Sequence, residues 1–273
     1  MNGKRRGELE ALSLEVRKDI VRMVGLARAA GLASSLAVAN LLVYMYWEQM
    51  KVYPDERNRG DRDRLVMSHA SAAAALYACL ARKGYFDREE LWSYRRLGAT
   101  LQGFPDIRTP GVDAPNGACG GGLGIASGLC IALRLDGLAS RVYCVLGQDE
   151  LRKGVMWESV RSAAINGLGH LAAIIDVRDG STSGDGIASG LDAFGWLVCD
   201  ADGRDFDSID AVFSGFDYED PRPKAILAVT GVDGGLMSLR ARLEDSGRPM
   251  SGDEIDNALS LLEQQSNVRA DHR

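Results

Sequence analysis

The chain alternates between stretches with helical spacing of apolar residues and short unbroken apolar runs. Between residues 8 and 30, Leu12, Val16, Ile20, Val24 and Leu26 fall roughly on one face, which predicts an amphipathic helix. Residues 36–50 predict a second, more apolar helix. A charged turn from Asp55 to Arg64 leads into a short strand, Leu65-Val66-Met67, and then an alanine-rich helix from about Ala70 to Arg82. Asp87 is placed to cap a helix carrying Glu89, Glu90 and Leu91. Residues 98–122 hold a dense set of glycines and prolines and predict a long loop, which in a compact domain is usually functional or disordered. Beyond it comes a helix from Leu123 to Leu135, then the strand Val142 to Leu146. Helix and strand then alternate over 154–166, 171–176, 190–196, 197–200, 206–214 and 224–229, with a helical tail over 236–265 and a frayed end from Asn267 to Arg273. This order predicts an α/β fold, a doubly wound, mainly parallel sheet of about five strands with helices on both faces. We read one domain over 1–273, with a core of about 10–265.

Composition narrows the function classes. Hydrophobic residues make up 46% of the chain and charged residues 26%, the balance of an ordinary soluble domain. The net charge of -6 argues against a nucleic-acid partner, which calls for a basic stripe. No apolar run is long enough to span a membrane, and the basic start, Met1 to Gly7, lacks an apolar signal core. The five cysteines are scattered, most of them in apolar runs, and form no Cys-x-x-Cys pair. Buried reduced thiols in a cytoplasmic protein are expected.

Chemistry is expected at the carboxyl ends of parallel strands. Three polar clusters fall there: Ser68-His69, Gly147-Gln148-Asp149, and Asp176 to Asp179. The glycine-rich loop before Leu123 and the strand end at Gly147 both lead towards helices. Their free backbone N–H groups suit an anion.

Several blocks resemble, in order and spacing, the N-terminal diphosphate-binding domain of transketolases, especially those split into two chains. They are Asp63 to Ser68, Ala75 to Ala78 with Gly84-Tyr85-Phe86, Thr109 to Asp113, Asn116 to Leu123, Gly147 to Glu158, and Ala193 to Trp196. The resemblance implies thiamine diphosphate and Mg²⁺ held at this domain. It also implies a separate C-terminal, pyrimidine-binding subunit that supplies an activating glutamate, and transfer of a two-carbon ketol unit between sugar phosphates. Gly117, Gly120, Gly122, Gly147, Gln148, Asp149 and Arg178 are the expected cofactor-binding positions, and His69 the catalytic candidate.

The departures from the family pattern are as specific as the match. The family's metal aspartate falls on Gln148, its second metal ligand, an asparagine, on Arg178, and a glutamate on Lys153. The histidine expected after Gly31 is absent, and the one expected four residues after Met67 falls on Ser71. Mg²⁺ needs hard oxygen ligands, and an arginine offers none. A one-residue slip in both loops would restore two carboxylates, Asp149 and Asp179, as metal ligands. Without the slip, Arg178 either binds phosphate oxygens in the metal's place or turns to solvent or to Asp176, Asp179 or Asp149. His69 either reaches a phosphate or transfers a proton, or else caps the following helix. His170, Glu158 and the aromatic set Tyr44, Tyr46, Trp47, Trp92 and Tyr94 read as structural or interface residues.

The leading reading is the N-terminal subunit of a two-chain transketolase-like enzyme. It would carry out thiamine-diphosphate-dependent ketol or acyl transfer on a sugar phosphate or small keto substrate, within a heterotetramer. Two rivals stand beside it: a structural partner that binds no cofactor, and a metal-independent enzyme acting on a phosphorylated substrate in the same pocket.

Overall fold

Strands whose residues are apolar on both sides must be covered on both sides, and this chain has several such runs. The computed structural model describes residues 1–178, 184–231 and 250–271. It arranges β1 (Arg64–Met67), β2 (Val142–Gly147), β3 (Leu171–Arg178), β4 (Leu197–Asp202) and β5 (Lys224–Thr230) as one sheet in the order β1-β2-β3-β5-β4. Every neighbouring pair is parallel. Side-chain alternation divides the core into two layers. Tyr143, Val145, Ala172, Ile174, Ile226 and Ala228 face one layer; Val142, Cys144, Leu146, Ala173, Ile175 and Leu227 face the other.

The first layer is covered by α1 (Gly3–Ala27), α2 (Leu32–Ala37), α3 (Ala39–Tyr44), α4 (Ala73–Lys83), α8 (Phe206–Ser214) and α9 (Gly252–Asp271). The second is covered by α5 (Gly122–Leu135), α6 (Gly154–Ile165) and α7 (Gly184–Ala193). Trp196, 1% exposed, fills the second layer and donates its indole N–H to the Val160 carbonyl at 2.9 Å. The expected doubly wound α/β architecture is therefore present.

Several boundaries differ from expectation for identifiable reasons. The predicted helix over 36–50 is broken at Val38 (φ -88°, ψ 2°), and its last turn, Met45–Gln49, is a π-helix. Arg17 on α1 donates to the Leu36 carbonyl at 2.8 Å, satisfying an acceptor that the break would otherwise leave open. The alanine-rich segment starts as a 3-10 turn, Ala70–Ala72, before α4. Asp87 makes no capping bond, and Arg88–Ser93 is a 3-10 helix. Helix α7 begins ahead of the predicted 190–196 and ends before Gly195, whose φ of 87° turns the chain into β4. Part of the predicted tail helix, 236–249, lies outside the described residues, while α9 continues to Asp271, through part of the end expected to fray.

Asp63 and Asp113, which belong to the resemblance blocks, act as anchors at the start of β1. Asp63 accepts the N–H groups of Lys51 at 2.9 Å and Arg141 at 2.7 Å. Asp113 accepts the Leu65 N–H at 2.9 Å and pairs with Arg62 at 2.5 Å. The long loop from 94 to 121 is thus tied to the amino end of the sheet and returns along it to the carboxyl end.

Candidate functional site

The carboxyl ends of β1, β2 and β3 bring the three predicted polar clusters together. Two crevices form there. In the crevice between β1 and β2, the central group is Glu150, 4% exposed, on the 3-10 turn Gln148–Arg152. Its carboxylate accepts the Gly147 N–H at 2.8 Å, the Gly120 N–H at 3.0 Å and the Ser68 hydroxyl. Glu150 lies three residues after Gly147 and reaches back to its N–H, as the acid of a capping box does. The glycine-rich loop is thereby fastened to the sheet end. Gly122 lacks a Cβ because Ser68 packs against that position.

This arrangement corrects the expectation that the Gly120 and Gly147 N–H groups are open to an anion: both already donate to Glu150. Glu150 was not foreseen as a site residue; the Gly-x-x-Glu spacing was the available signal. Gly117 (φ 69°) and Cys119 form the exposed rim of the loop.

The crevice between β2 and β3 is built differently. Parallel register sets Gly147 opposite Asp176. Asp176, 2% exposed, accepts the Thr230 hydroxyl from β5 through one carboxylate oxygen. Its other oxygen lies 3.4 Å from His69 Nε2. The His69 ring lies against Gly147, where a Cβ would clash with Nδ1. Nε2 is sealed from solvent and makes no aligned hydrogen bond, and Ser71 Oγ lies 3.4 Å from Nδ1. His69, the expected catalytic residue, thus turns Nε2 towards Asp176.

Gln148 and Arg178 meet directly. The Gln148 side-chain carbonyl accepts the Arg178 backbone N–H at 3.0 Å. Asp149 is exposed on the turn, and Asp179 lies outside the described residues. Arg178 is exposed, and its guanidinium has no ion-pair or hydrogen-bond partner among the described residues. Lys153 is also exposed, with its stem packed against Gly120.

The thiols contribute little to this site. Burial pushes the Cys130 thiol up to about 11 and raises Cys79 and Cys144 further. Cys119 is exposed and Cys199 half-buried, so not all five cysteines are core residues.

Residues 17–267 match the family described as transketolase, thiamine diphosphate binding domain. The chain belongs to this transketolase family. It is 31% identical, over 81% of its own length and 82% of the relative's, to an apulose-4-phosphate transketolase subunit from Phocaeicola vulgatus. It is 30% identical, over 92% and 94% of the two chains, to a 6-deoxy-6-sulfo-D-fructose transketolase subunit from a Clostridium species. Among solved structures, the transketolase of Campylobacter jejuni superposes with a TM-score of 0.81 at 24% identity, covering 98% of this chain and 46% of that one. The chain therefore spans under half the length of such transketolases, and at that identity the likeness shows the fold alone.

The family implies a divalent cation with the diphosphate, and Gln148 and Arg178, as described, do not fit one. The Gln148 carbonyl is engaged by a backbone N–H. Arg178 brings a positive charge, and Glu150 and Asp176 are both directed to other donors. Among the described residues no group of three or more His, Cys, Asp or Glu side chains is placed to hold a metal ion. Nor is any described helix long and apolar enough to cross a membrane.

Proposed function

We propose that this chain is the N-terminal subunit of a two-chain transketolase-like enzyme, transferring a two-carbon ketol or acyl unit with a separate pyrimidine-binding partner. The observation that carries this reading is the polar rim at the carboxyl ends of β2 and β3 in a member of this family: exposed Gly117, Lys153 and Arg178 with half-buried Gln148, beside the anchored glycine-rich loop. Support also comes from relatives named as subunits, which the chain matches over 82% and 94% of their lengths.

Bound thiamine diphosphate supplies the electron sink for breaking and making the carbon–carbon bond. This chain's residues contribute placement. Glu150 holds the glycine-rich loop against β2, and the Asp176–Thr230 bond holds β3 to β5 beneath the rim. Arg178 and Lys153 offer positive charge to a phosphate-bearing ligand. The partner contributes the activating glutamate. The substrate class is a sugar phosphate or small keto compound, and the assembly a heterotetramer working in the cytoplasm.

A noncatalytic role is the second reading, favoured by the sealed His69 Nε2. The test is to co-purify the chain with its partner and assay ketol transfer from a ketose phosphate to an aldose phosphate. Turnover that needs both chains and thiamine diphosphate is the expected result. An assembled complex that binds no cofactor and transfers nothing from a panel of ketose donors would establish the noncatalytic role instead.

A further inference from the structure

A local Asp-x-Arg ion pair recurs along the chain, and among the described residues it is absent at Asp55-Glu56-Arg57 and at Asp176-Val177-Arg178. Asp106-Ile107-Arg108, Asp202-Gly203-Arg204 and Asp220-Pro221-Arg222 each close an ion pair between the aspartate and the arginine two residues on, at 2.8, 2.8 and 2.6 Å. Asp176-Val177-Arg178 has the same spacing and does not close. Asp176 lies on a strand with its carboxylate turned inward, to the Thr230 hydroxyl and towards His69. Arg178 is left exposed, its backbone held by Gln148 and its guanidinium without a partner among the described residues.

A second, independent observation concerns the backbone donors. The N–H groups of Gly120 and Gly147, which would otherwise face an anion, are both taken by Glu150. Those two donors are therefore not available to an anion at this rim, where exposed side chains carry positive charge. Two exposed cations stand there, Arg178 beside Gln148 and Lys153 over Gly120, while Asp149 is the exposed acid of the turn.

We propose that this site takes a diphosphate ester without a divalent cation, with the Arg178 guanidinium supplying part of the positive charge that a metal would bring. A guanidinium presents a planar pair of N–H donors to two phosphate oxygens, which replaces part of the charge and part of the orienting role of a metal ion. The Gln148 carbonyl, in this scheme, is a positioning group: it fixes the Arg178 backbone at the mouth of the crevice and ligates nothing. The inference rests on the transketolase-like reading given above.

The experiment uses the complex of this chain with its partner and titrates thiamine diphosphate calorimetrically in Mg²⁺ and in chelator. Affinities equal within about threefold in the two buffers are expected. Arg178→Gln should weaken binding by about 10- to 100-fold in both buffers, the loss of a charge-assisted pair. Gln148→Asp combined with Arg178→Asn should make binding depend on Mg²⁺. Thermal melting of each variant confirms that it is folded and assembled. Binding by the unaltered complex only in Mg²⁺ overturns the metal-free site and leaves the subunit reading standing. Binding in chelator that Arg178→Gln leaves untouched overturns the role given to Arg178. An assembled complex that binds thiamine diphosphate in neither buffer overturns the subunit reading as well.

Discussion

The two crevices at the carboxyl end of the sheet differ in how their polar groups are satisfied. Between β1 and β2, one buried carboxylate, Glu150, meets two backbone N–H groups and a hydroxyl. Between β2 and β3, His69 Nε2 is buried without an aligned partner and Arg178 is exposed at the rim. Buried polar groups are normally paired, and exceptions call for an explanation. The first crevice is therefore architecture: it shapes the glycine-rich loop. The second is the one to which the proposal above assigns the ligand.

Removing Glu150 should separate the two crevices most strongly. Glu150→Ala strands the Gly120 and Gly147 donors in a buried place, at roughly 1–3 kcal/mol each, so a loss of about 3 kcal/mol or more is expected. Glu150→Gln keeps one carbonyl acceptor and should lose about half as much. Chemical denaturation measures both. A Glu150→Ala variant as stable as the parent would show that the loop is held by something other than this carboxylate.

The next test lies where the crevices meet. Gly147 has an ordinary extended backbone (φ -89°, ψ 150°), so alanine there costs nothing in strain. Its cost is the clash with the His69 ring. Gly147→Ala should destabilise by about 1–3 kcal/mol, as overpacking does. Adding His69→Ala should recover most of that loss, because the two residues are in contact and their effects are not additive. Additive losses in the double variant would mean that His69 does not occupy the space above Gly147.

What the sequence revealed follows the physics of each feature. Strands β1, β2, β3 and β5 were legible because a parallel sheet covered on both faces demands continuous apolar runs such as Leu171 to Ile175. The Gln148–Arg178 meeting was legible because the two strand ends pair in register, Gly147 with Asp176. The break at Val38 was hidden, since apolar spacing runs on through it and the bond that completes it comes from Arg17, on a different helix. Glu150 was hidden for another reason. An acid in a polar turn reads as solvated, and only the folded chain shows that Gly120, thirty positions away, turns its N–H towards it. The inward turn of Asp176 was likewise invisible, because its partner Thr230 arrives from β5.

The smallest stability effect is expected at the residue with the largest proposed role in binding. Arg178 is exposed and its side chain touches no partner among the described residues, so Arg178→Gln should change unfolding free energy by no more than about 0.5 kcal/mol. Its backbone N–H, which Gln148 accepts, is unaffected by the substitution. A ligand that binds the folded protein adds stability by mass action, about 2.7 kcal/mol at a concentration a hundred times the Kd. A tenfold weaker variant at the same concentration gains only about half of that. Melting the assembled protein with and without thiamine diphosphate in chelator therefore reads the two crevices apart. Glu150→Ala lowers the melting temperature of the unliganded protein, whereas Arg178→Gln leaves it in place and shrinks the rise that the ligand brings. A free Arg178→Gln protein that melts well below the parent would mean that this guanidinium supports the fold, and the division between an architectural crevice and a ligand-responsive one would have to be given up.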